Sequence, residues 1–263
     1  MRDFTLSKYK CLLEAFINAG YTAITYEQYC TLPSLPDKFV ILRHDVDKQP
    51  HQALKMAQVE HRLGVQSVYY FRIVAQSNDP SVIRAVAHLG MEIGYHYEDL
   101  SLSKGNPKQA EKSFSDNLSY FRMFYPVRTI CMHGSVQEKL DNKLLWKYAD
   151  YHRFGVLAET YLDTNFDDVF YLTDTGRCWD GYKVSVYDKV PSRQAQWLAY
   201  GWTYHHTDAI IAALQSNQFP SRLMLTSHPQ RWHDGVGAWL YEWIRQHIAN
   251  VLKYLLIYVF HRI

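Results

Sequence analysis

The sequence of 263 residues has few cysteines and lacks a long hydrophobic run. Its four cysteines, Cys11, Cys30, Cys131 and Cys178, are widely separated and form no CxxC pair. This spacing fits reduced thiols in a cytoplasmic protein better than a disulfide framework or a cysteine-rich zinc site. The longest apolar run, residues 254–260, is far shorter than the roughly 20 residues that cross a bilayer. Such a run at a helix end usually packs in the core, and a peripheral membrane contact is the alternative.

The sequence also shows no clustered charge, no apolar stretch in its first residues and none of several common nucleotide-binding and catalytic motifs. The formal net charge is +2, and no block of lysine and arginine indicates a nucleic-acid partner. The opening segment, MRDFTLSKYK, lacks the apolar stretch of a secretory signal, so we expect a cytoplasmic location or one on the inner-membrane surface. GxGxxG, P-loop, HExxH and GxSxG motifs are all missing. Nothing in the sequence specifies an oligomeric state.

What is present is a globular composition with many aromatic residues. Hydrophobic residues make up 48% and charged residues 21%, values that argue against disorder. Aromatic residues reach 15%, and they indicate either large core side chains or a sugar-binding surface. No linker, repeat or low-complexity tract divides the chain, so residues 1–263 are predicted to form a single domain.

Predicted strands and helices alternate along the chain. The first helix is indicated by apolar residues at helical spacing from Tyr9 to Ile17, with Gly20 as its stop. Strands are predicted at residues 39–42, 67–74, 91–94, 128–132, 155–158, 182–186 and 222–226. Further helices are predicted at residues 50–63, 80–90, 107–124, around 207–214, and from Ala238 onward. This alternation predicts an α/β fold with a mostly parallel sheet, open or closed into a barrel.

Four polar clusters each follow a predicted strand immediately. Their sequences are RHDVD, GYHYED, CMHGS and TSHPQRW. In α/β barrels the carboxyl ends of the strands carry the active site. The four clusters are therefore predicted to converge on one site.

The first cluster holds two carboxylates close together. If the strand continues through it, the two-residue period places Asp45 and Asp47 on one face with Arg43. Two carboxylates at such a short distance raise each other's proton affinity unless a cation lies between them. A divalent metal would resolve this, with one aspartate binding the ion and the other free as a base. Alternatively, Asp47 caps the helix that Pro50 begins.

Three further histidines follow strands in the other clusters. His96 precedes Glu98 and Asp99, while His133 is followed by a glycine and His228 by a proline. Each of these histidines alone is more often structural than a ligand. Together with the two aspartates they form a set suited to a zinc-type ion, which binds imidazole nitrogen and carboxylate oxygen.

In chain order, the segments RHDVD, YYFRI, GMEIGYHYEDL and LTSHP resemble the motifs of the polysaccharide deacetylase family, the NodB-homology carbohydrate esterases. The resemblance covers roughly residues 39–232. The particular residues in these motifs resemble those of a branch of the family that is associated with bacterial surface-polysaccharide gene clusters. The family implies a distorted (β/α)7 TIM-like barrel and a divalent metal ion, usually Zn²⁺.

Several residues match the family's functional positions. By resemblance, Asp45 is the catalytic base, and Asp47 and His96 bind the metal. His228 matches the general acid. The residues expected beside the substrate are Arg43, Glu98, Asp174 and Trp179, the last two by a loose match to an orienting aspartate and a pocket tryptophan.

The sequence departs from the family pattern at two places. Leu100 stands where the family has its second metal-binding histidine, and CMHGS replaces an Arg-Pro-Pro-Tyr segment. The two changes are expected to compensate each other, with His133 as the third metal ligand. Glu98 and Asp99 are the rival third ligands.

The resemblance implies a metal-dependent N-deacetylase of an N-acylated amino sugar in surface-polysaccharide biosynthesis of the O-antigen or capsule type. The expected substrate is a nucleotide- or lipid-linked precursor or a short glycan. One alternative is a catalytically inactive barrel that binds glycans, which Leu100 favours. The other is a metal amidohydrolase that acts on a non-sugar amide.

Overall fold

The computed structural model describes residues 2–134, 140–179 and 188–259. The predicted strand at residues 182–186 lies outside this part of the chain. The described strands are β1 Thr22–Ile24, β2 Phe39–Val46, β3 Val68–Phe71, β4 Glu92–Tyr97, β5 Thr129–Met132, β6 Ala158–Glu159, β7 Phe170–Thr173 and β8 Arg222–Ser227.

The helices lie around these strands. They are α1 Leu6–Asn18, α2 Tyr26–Thr31, α3 Pro50–Arg62, α4 Pro80–His88, α5 Asp99–Leu102, α6 Pro107–Phe121, α7 Pro191–Ala199, α8 Thr207–Gln215 and α9 Val236–Val259. Within the described residues, none of them combines the length and the apolar character that a membrane span needs.

All described strands join one parallel sheet. Its order is β6-β5-β4-β3-β2-β8-β7, and β1 pairs with the beginning of β2. The sheet curls and carries the helices around it, which confirms the predicted distorted (β/α)7 barrel. Because every pairing is parallel, the carboxyl ends of the strands lie at the same end of the barrel.

The structure corrects the strand predictions in the second half of the chain. The strand predicted at residues 155–158 is wrong, because Tyr151–Phe154 form a 3₁₀ turn and Gly155 ends it in a left-handed conformation with φ 69°. β6 therefore begins only at Ala158. The sequence pattern also misses β7, since its four residues, FYLT, are too short to display a period.

Gly94 in β4 lies against the ring of Tyr70 in β3. A Cβ at Gly94 would lie 2.2 Å from Cε1 of Tyr70 and 3.0 Å from the carbonyl oxygen of Thr129. Tyr70 is fully buried, and its hydroxyl is 3.0 Å from the Thr129 hydroxyl. The absence of a side chain at Gly94 therefore makes room for a tyrosine inside the barrel.

Gly94→Ala is expected to lower the free energy of unfolding by about 1–3 kcal/mol, because the added Cβ would force the buried ring of Tyr70 or the strand backbone to shift. Chemical denaturation measures the change. Gly237→Ala is the matched control, since an added Cβ there has no atom within 4 Å. Equal stability of the two variants would contradict the close approach at Gly94.

His44 points to the opposite side of β2 from Asp45, toward α1 and α3. Its Nε2 lies 2.6 Å from Oε1 of Glu60, and its Nδ1 lies 2.7 Å from Oγ of Ser227. Glu60 also accepts hydrogen bonds from three hydroxyls, those of Tyr9, Ser67 and Tyr69. His44 thus belongs to a buried polar network that joins the sheet to its covering helices.

Glu60→Gln is expected to destabilise the fold by about 3–5 kcal/mol at neutral pH, because it breaks this buried network. Burial opposes ionisation, but His44 and the hydroxyl donors hold the pKa of Glu60 below its usual 4.5. The carboxylate therefore stabilises the fold above its unfolded-state pKa, and this contribution is lost as the pH falls through the lower folded-state pKa. Denaturation across pH should show the gap to wild type narrowing below about pH 4.5. A stability difference between variant and wild type that stays constant across this pH range would contradict the stabilising role of the Glu60 carboxylate.

Candidate metal and catalytic site

The carboxyl ends of β2, β4, β5 and β8 meet at one pocket. β2 pairs with β8, and β4 pairs with β5, so the four polar clusters come together although they are far apart in sequence. The pocket is lined by Asp45, Asp47, His96, Met132, His133, Gly134, Tyr161, Asp188 and His228. The predicted base, acid and three metal ligands are all among them.

Asp47 lies where two histidines converge. Nε2 of His96 and Nε2 of His133 are each 3.6 Å from Oδ1 of Asp47, too far for a hydrogen bond. Among the described residues, this buried oxygen has no hydrogen-bond partner, whereas Oδ2 accepts from Gln230 at 3.1 Å. Ligand atoms about 2.1 Å from a tetrahedral metal lie roughly 3.4 Å apart. Each of the two imidazole nitrogens therefore lies at about the distance from Oδ1 that two ligands of one divalent ion would have.

Contacts on the far side of each imidazole orient the two rings. Nδ1 of His96 donates to the carbonyl oxygen of Cys131 at 2.9 Å. A carbonyl oxygen can only accept, so Nδ1 carries a proton and Nε2 is the nitrogen that faces Asp47. Nδ1 of His133 lies 3.0 Å from Oε2 of Glu98. Outer contacts of this kind fix ligand orientation in metal sites.

Glu98 is held between His133 and Arg72. Nε and Nη2 of Arg72 donate to its two carboxylate oxygens at 2.9 and 2.6 Å. Burial alone would raise the pKa of Glu98, but His133 and Arg72 outweigh it and lower the pKa to about 2. Glu98 thus supports His133 and is not itself among the residues that line the pocket.

Asp99, the other rival for the third ligand, points away from the pocket toward α6. Its carboxylate accepts from Tyr95 at 2.7 Å, from Ser113 at 2.6 Å and from Asn117 at 2.8 Å. Burial raises the pKa of Asp99, although these hydrogen bonds lower it in part. Of the three candidates for the third ligand, the structure brings His133 to Asp47.

A second group of candidate ligands overlaps this one. Asp45, His96 and Cys131 place ligand atoms within 4.8 Å of one another. That set is the weaker one, because burial raises the pKa of the Cys131 thiol well above 9.0 and so disfavours the thiolate that binds metals. Arg43 also occupies both oxygens of Asp45. Neither feature weakens the set of Asp47, His96 and His133.

Asp45 lies beside the candidate metal site, against Arg43. Nε and Nη2 of Arg43 donate to the two oxygens of Asp45 at 2.9 and 2.6 Å, and Nη2 also donates to the Tyr161 hydroxyl at 3.1 Å. Arg43 is only 1% exposed and, within the described chain, does not line the pocket. Arg43 is therefore placed to orient Asp45, whereas the sequence analysis places it beside the substrate.

His228 faces Asp47 from the end of β8. Its Nε2 lies 3.9 Å from Oδ2 of Asp47, while Nδ1 donates to Asp174 at 2.6 Å. Burial and the nearby Arg231 lower the pKa of His228, but Asp174 and Asp47 outweigh them and raise it above 6.5. The protonated ring is thereby favoured, and this is the form that a general acid needs.

Asp174 connects His228 to the segment that follows it. The buried carboxylate accepts from the backbone N–H of His228 at 3.0 Å, from Arg231 at 2.5 Å and from the indole of Trp232 at 2.9 Å. Trp179 is 1% exposed and packs against Trp232, with ring centroids 5.9 Å apart. The structure thus brings Asp174 to the site as an orienting group, while Trp179 lies in an aromatic cluster outside the described pocket lining.

Four further residues at this site are not predicted from the sequence. They are Arg72, Tyr161, Asp188 and Gln230. Asp188 accepts from the hydroxyls of Tyr161 at 2.8 Å and of Thr173 at 2.5 Å. Arg72 and Gln230 belong to the segments YYFRI and TSHPQRW, so their positions in these motifs could have identified them as site residues. No motif marks Tyr161 or Asp188.

Comparison with known proteins finds neither a matching family model nor a significantly similar curated protein. Solved structures with a similar chain path are family 4 carbohydrate esterases. A pseudoenzyme from Bacillus anthracis is 8% identical, with a TM-score of 0.45 over 81% of this chain and 61% of that one. A Streptomyces lividans esterase in complex with acetate is 13% identical, with a TM-score of 0.40 over 83% and 91%. A Bacillus subtilis esterase is 11% identical, with a TM-score of 0.43 over 90% and 83%.

The chain spans less than two thirds of the length of the Bacillus anthracis protein, at 61%. All three TM-scores lie below 0.5, so we draw nothing about the reaction from these likenesses. The function is instead inferred from the pocket and from the motifs that meet there.

Proposed function

We propose that this chain is a metal-dependent N-deacetylase that hydrolyses the acyl amide of an amino sugar. The observation that carries the proposal is the pocket in which Asp47, His96 and His133 stand beside Asp45 and His228. These five residues supply a ligand set, a base and an acid within one cleft. The resemblance of the surrounding motifs to polysaccharide deacetylases supports the same reaction.

The metal ligands are Asp47, His96 and His133. Two imidazole nitrogens and one carboxylate oxygen form a ligand set that catalytic zinc sites use, with a further position left for water or substrate. When bound, the ion would polarise the acyl carbonyl and increase the acidity of a water molecule in the site.

Asp45 is placed to act as the general base. Its carboxylate lies 3.8 Å from Nε2 of His96, and Arg43 fixes its orientation from inside the barrel. As water adds to the acyl carbon, one of its protons passes to Asp45. Arg43 is therefore a positioning residue for the base.

His228 is placed to act as the general acid on the other side of Asp47. Its ion pair with Asp174 favours the protonated ring. As the carbon–nitrogen bond breaks, His228 donates its proton to the departing nitrogen. The products are a free amino sugar and the released carboxylate.

The substrate we propose is an N-acetylated or N-formylated sugar used in surface-polysaccharide biosynthesis. It is carried as a precursor or as a short glycan. The support for a sugar is the motif resemblance, and the support for an amide is the presence of an acid to protonate a poor leaving group. Hydrolysis of non-sugar amides but not of amino sugars would favour the amidohydrolase alternative.

The test is acetate release from UDP-N-acetylglucosamine, chitooligosaccharides and N-acetylated amino acids, with protein purified without chelator. We expect release from an amino-sugar substrate that stops on chelation and returns on addition of Zn²⁺. His228→Ala should reduce the rate by about 10²–10⁴-fold, since it removes the acid. Binding of the glycans without any acetate release would replace this proposal with the inactive glycan-binding barrel.

A further inference from the structure

α9 turns its polar side to the protein and its apolar side outward. Glu242 and Gln246 are only 1% and 4% exposed. On the opposite side, aliphatic residues are 43–59% exposed; they are Leu240, Ile244, Ile248, Val251, Leu252 and Leu255. This arrangement is the reverse of an ordinary surface helix, which buries its apolar stripe. Core packing of the apolar run at residues 254–260 is also wrong for Tyr254, which is 52% exposed.

Hydrogen bonds fix the rotation of α9 on the protein. Nδ2 of Asn250 donates to the carbonyl oxygen of Gly176 at 2.7 Å, and Nη1 of Arg177 donates to the carbonyl oxygen of Trp239 at 3.1 Å. Gly176 and Arg177 belong to the loop that begins with Asp174, the partner of His228. α9 is therefore packed against the loop that carries Asp174, the partner of His228.

The shape of the apolar side favours a flat partner. At about 100° per residue, the exposed apolar positions cover roughly half of the helix circumference. A single partner helix contacts a narrower stripe of two positions in seven. The exposed side also carries Tyr241, Trp243 and Tyr254, and aromatic residues of this kind favour the headgroup level of a bilayer.

The charge on α9 also suits an anionic lipid surface. Within residues 236–255, the single acidic side chain is Glu242, which is buried and paired with Arg245 at 2.5 Å. The exposed Arg2 adds a positive charge next to the helix, with its guanidinium 5.4 Å from the Trp239 ring centroid. Anionic headgroups attract basic residues near the surface and would meet no exposed acidic group on this helix.

We propose that α9 docks on an anionic phospholipid membrane through its outward apolar side. Resting on the proposed deacetylase function, this docking places the pocket at the lipid surface. It therefore assigns the substrate to amino sugars carried on a lipid anchor, which the membrane presents beside the pocket. A second copy of the chain is the competing occupant.

The test is co-sedimentation of the full chain with vesicles of phosphatidylcholine and phosphatidylglycerol. We expect wild type to sediment with these vesicles. The double variant Ile244→Glu, Leu252→Glu should lower the bound-to-free ratio at least about tenfold, because two aliphatic side chains that would enter the bilayer are replaced by charged ones. The control is Met123→Glu, Tyr148→Glu, which changes two side chains outside α9 that are 66% and 69% exposed. Unfolding temperatures of all three proteins check the fold.

Equal vesicle binding by wild type and the Ile244/Leu252 variant would overturn the proposal, as would wild type that does not sediment. A wild-type dimer that this variant dissociates, without vesicle binding, would assign the apolar side to a second copy. Vesicle binding that responds as expected, in a protein that releases no acetate, would support docking and overturn the proposed function alone. Sedimentation and acetate release thus separate the two proposals.

Discussion

Replacing Asp45 with asparagine is expected to reduce acetate release from an amino-sugar substrate by about 10²–10⁴-fold, the range typical for loss of a general base. Asparagine keeps the shape of the side chain but cannot accept the proton from water. The ligands Asp47, His96 and His133 are unchanged, so bound zinc should stay at the wild-type level. Initial rates and zinc content of the same preparation measure the two effects.

Asp45→Asn also needs a control for stability, because the buried Arg43 loses its charged partner in this variant. Breaking a buried ion pair costs about 3–5 kcal/mol of stability, so rates are compared below the unfolding temperature of the variant. Arg43→Lys keeps the charge but loses the two-point contact, and it should lower the rate with unchanged zinc content. A folded Asp45→Asn variant with the wild-type rate would remove Asp45 from the mechanism.

Replacing His133 with alanine is expected to weaken zinc binding by at least about 100-fold and to abolish metal-dependent turnover. The substitution removes one of the two nitrogens that face Oδ1 of Asp47 at 3.6 Å. Glu98→Gln keeps that nitrogen and disturbs only its outer contact, so a smaller loss, about 10–100-fold, is expected. Competition with a chromophoric chelator measures both affinities.

The matched control for His133→Ala is Cys131→Ala, which tests the alternative group of Asp45, His96 and Cys131. The thiol is buried and its pKa is raised by burial, so its removal should leave zinc affinity unchanged. Loss of zinc in Cys131→Ala together with its retention in His133→Ala would contradict the assignment made here.

Much of the site could be predicted because its residues follow strands. RHDVD continues β2, and parallel pairing brings its aspartates next to the ends of β4, β5 and β8. That His133 takes the place of the ligand missing at Leu100 stays a prediction, and it could be made from the sequence. This is because neighbouring strands β4 and β5 carry the two histidines at adjacent ends.

What the sequence could not specify is the direction in which polar side chains point. Arg43 shares a face with Asp45, but its contacts include Tyr161, which is 118 residues away in sequence. The ring centroid of Tyr161 lies 4.7 Å from Cζ of Arg43. Trp179 finds a hydrogen-bond partner in Thr207 at 2.8 Å, on a helix that starts 28 residues later. Such contacts depend on tertiary packing and leave no local pattern.

The most direct test of the metal assignment is a crystal structure of the protein grown with Zn²⁺, with anomalous data collected at the zinc absorption edge. We predict an anomalous peak within coordination distance, about 2.0–2.2 Å, of Oδ1 of Asp47 and Nε2 of both His96 and His133. A peak bound by Asp45 and Cys131, or no peak in a crystal that holds the intact pocket, would contradict it.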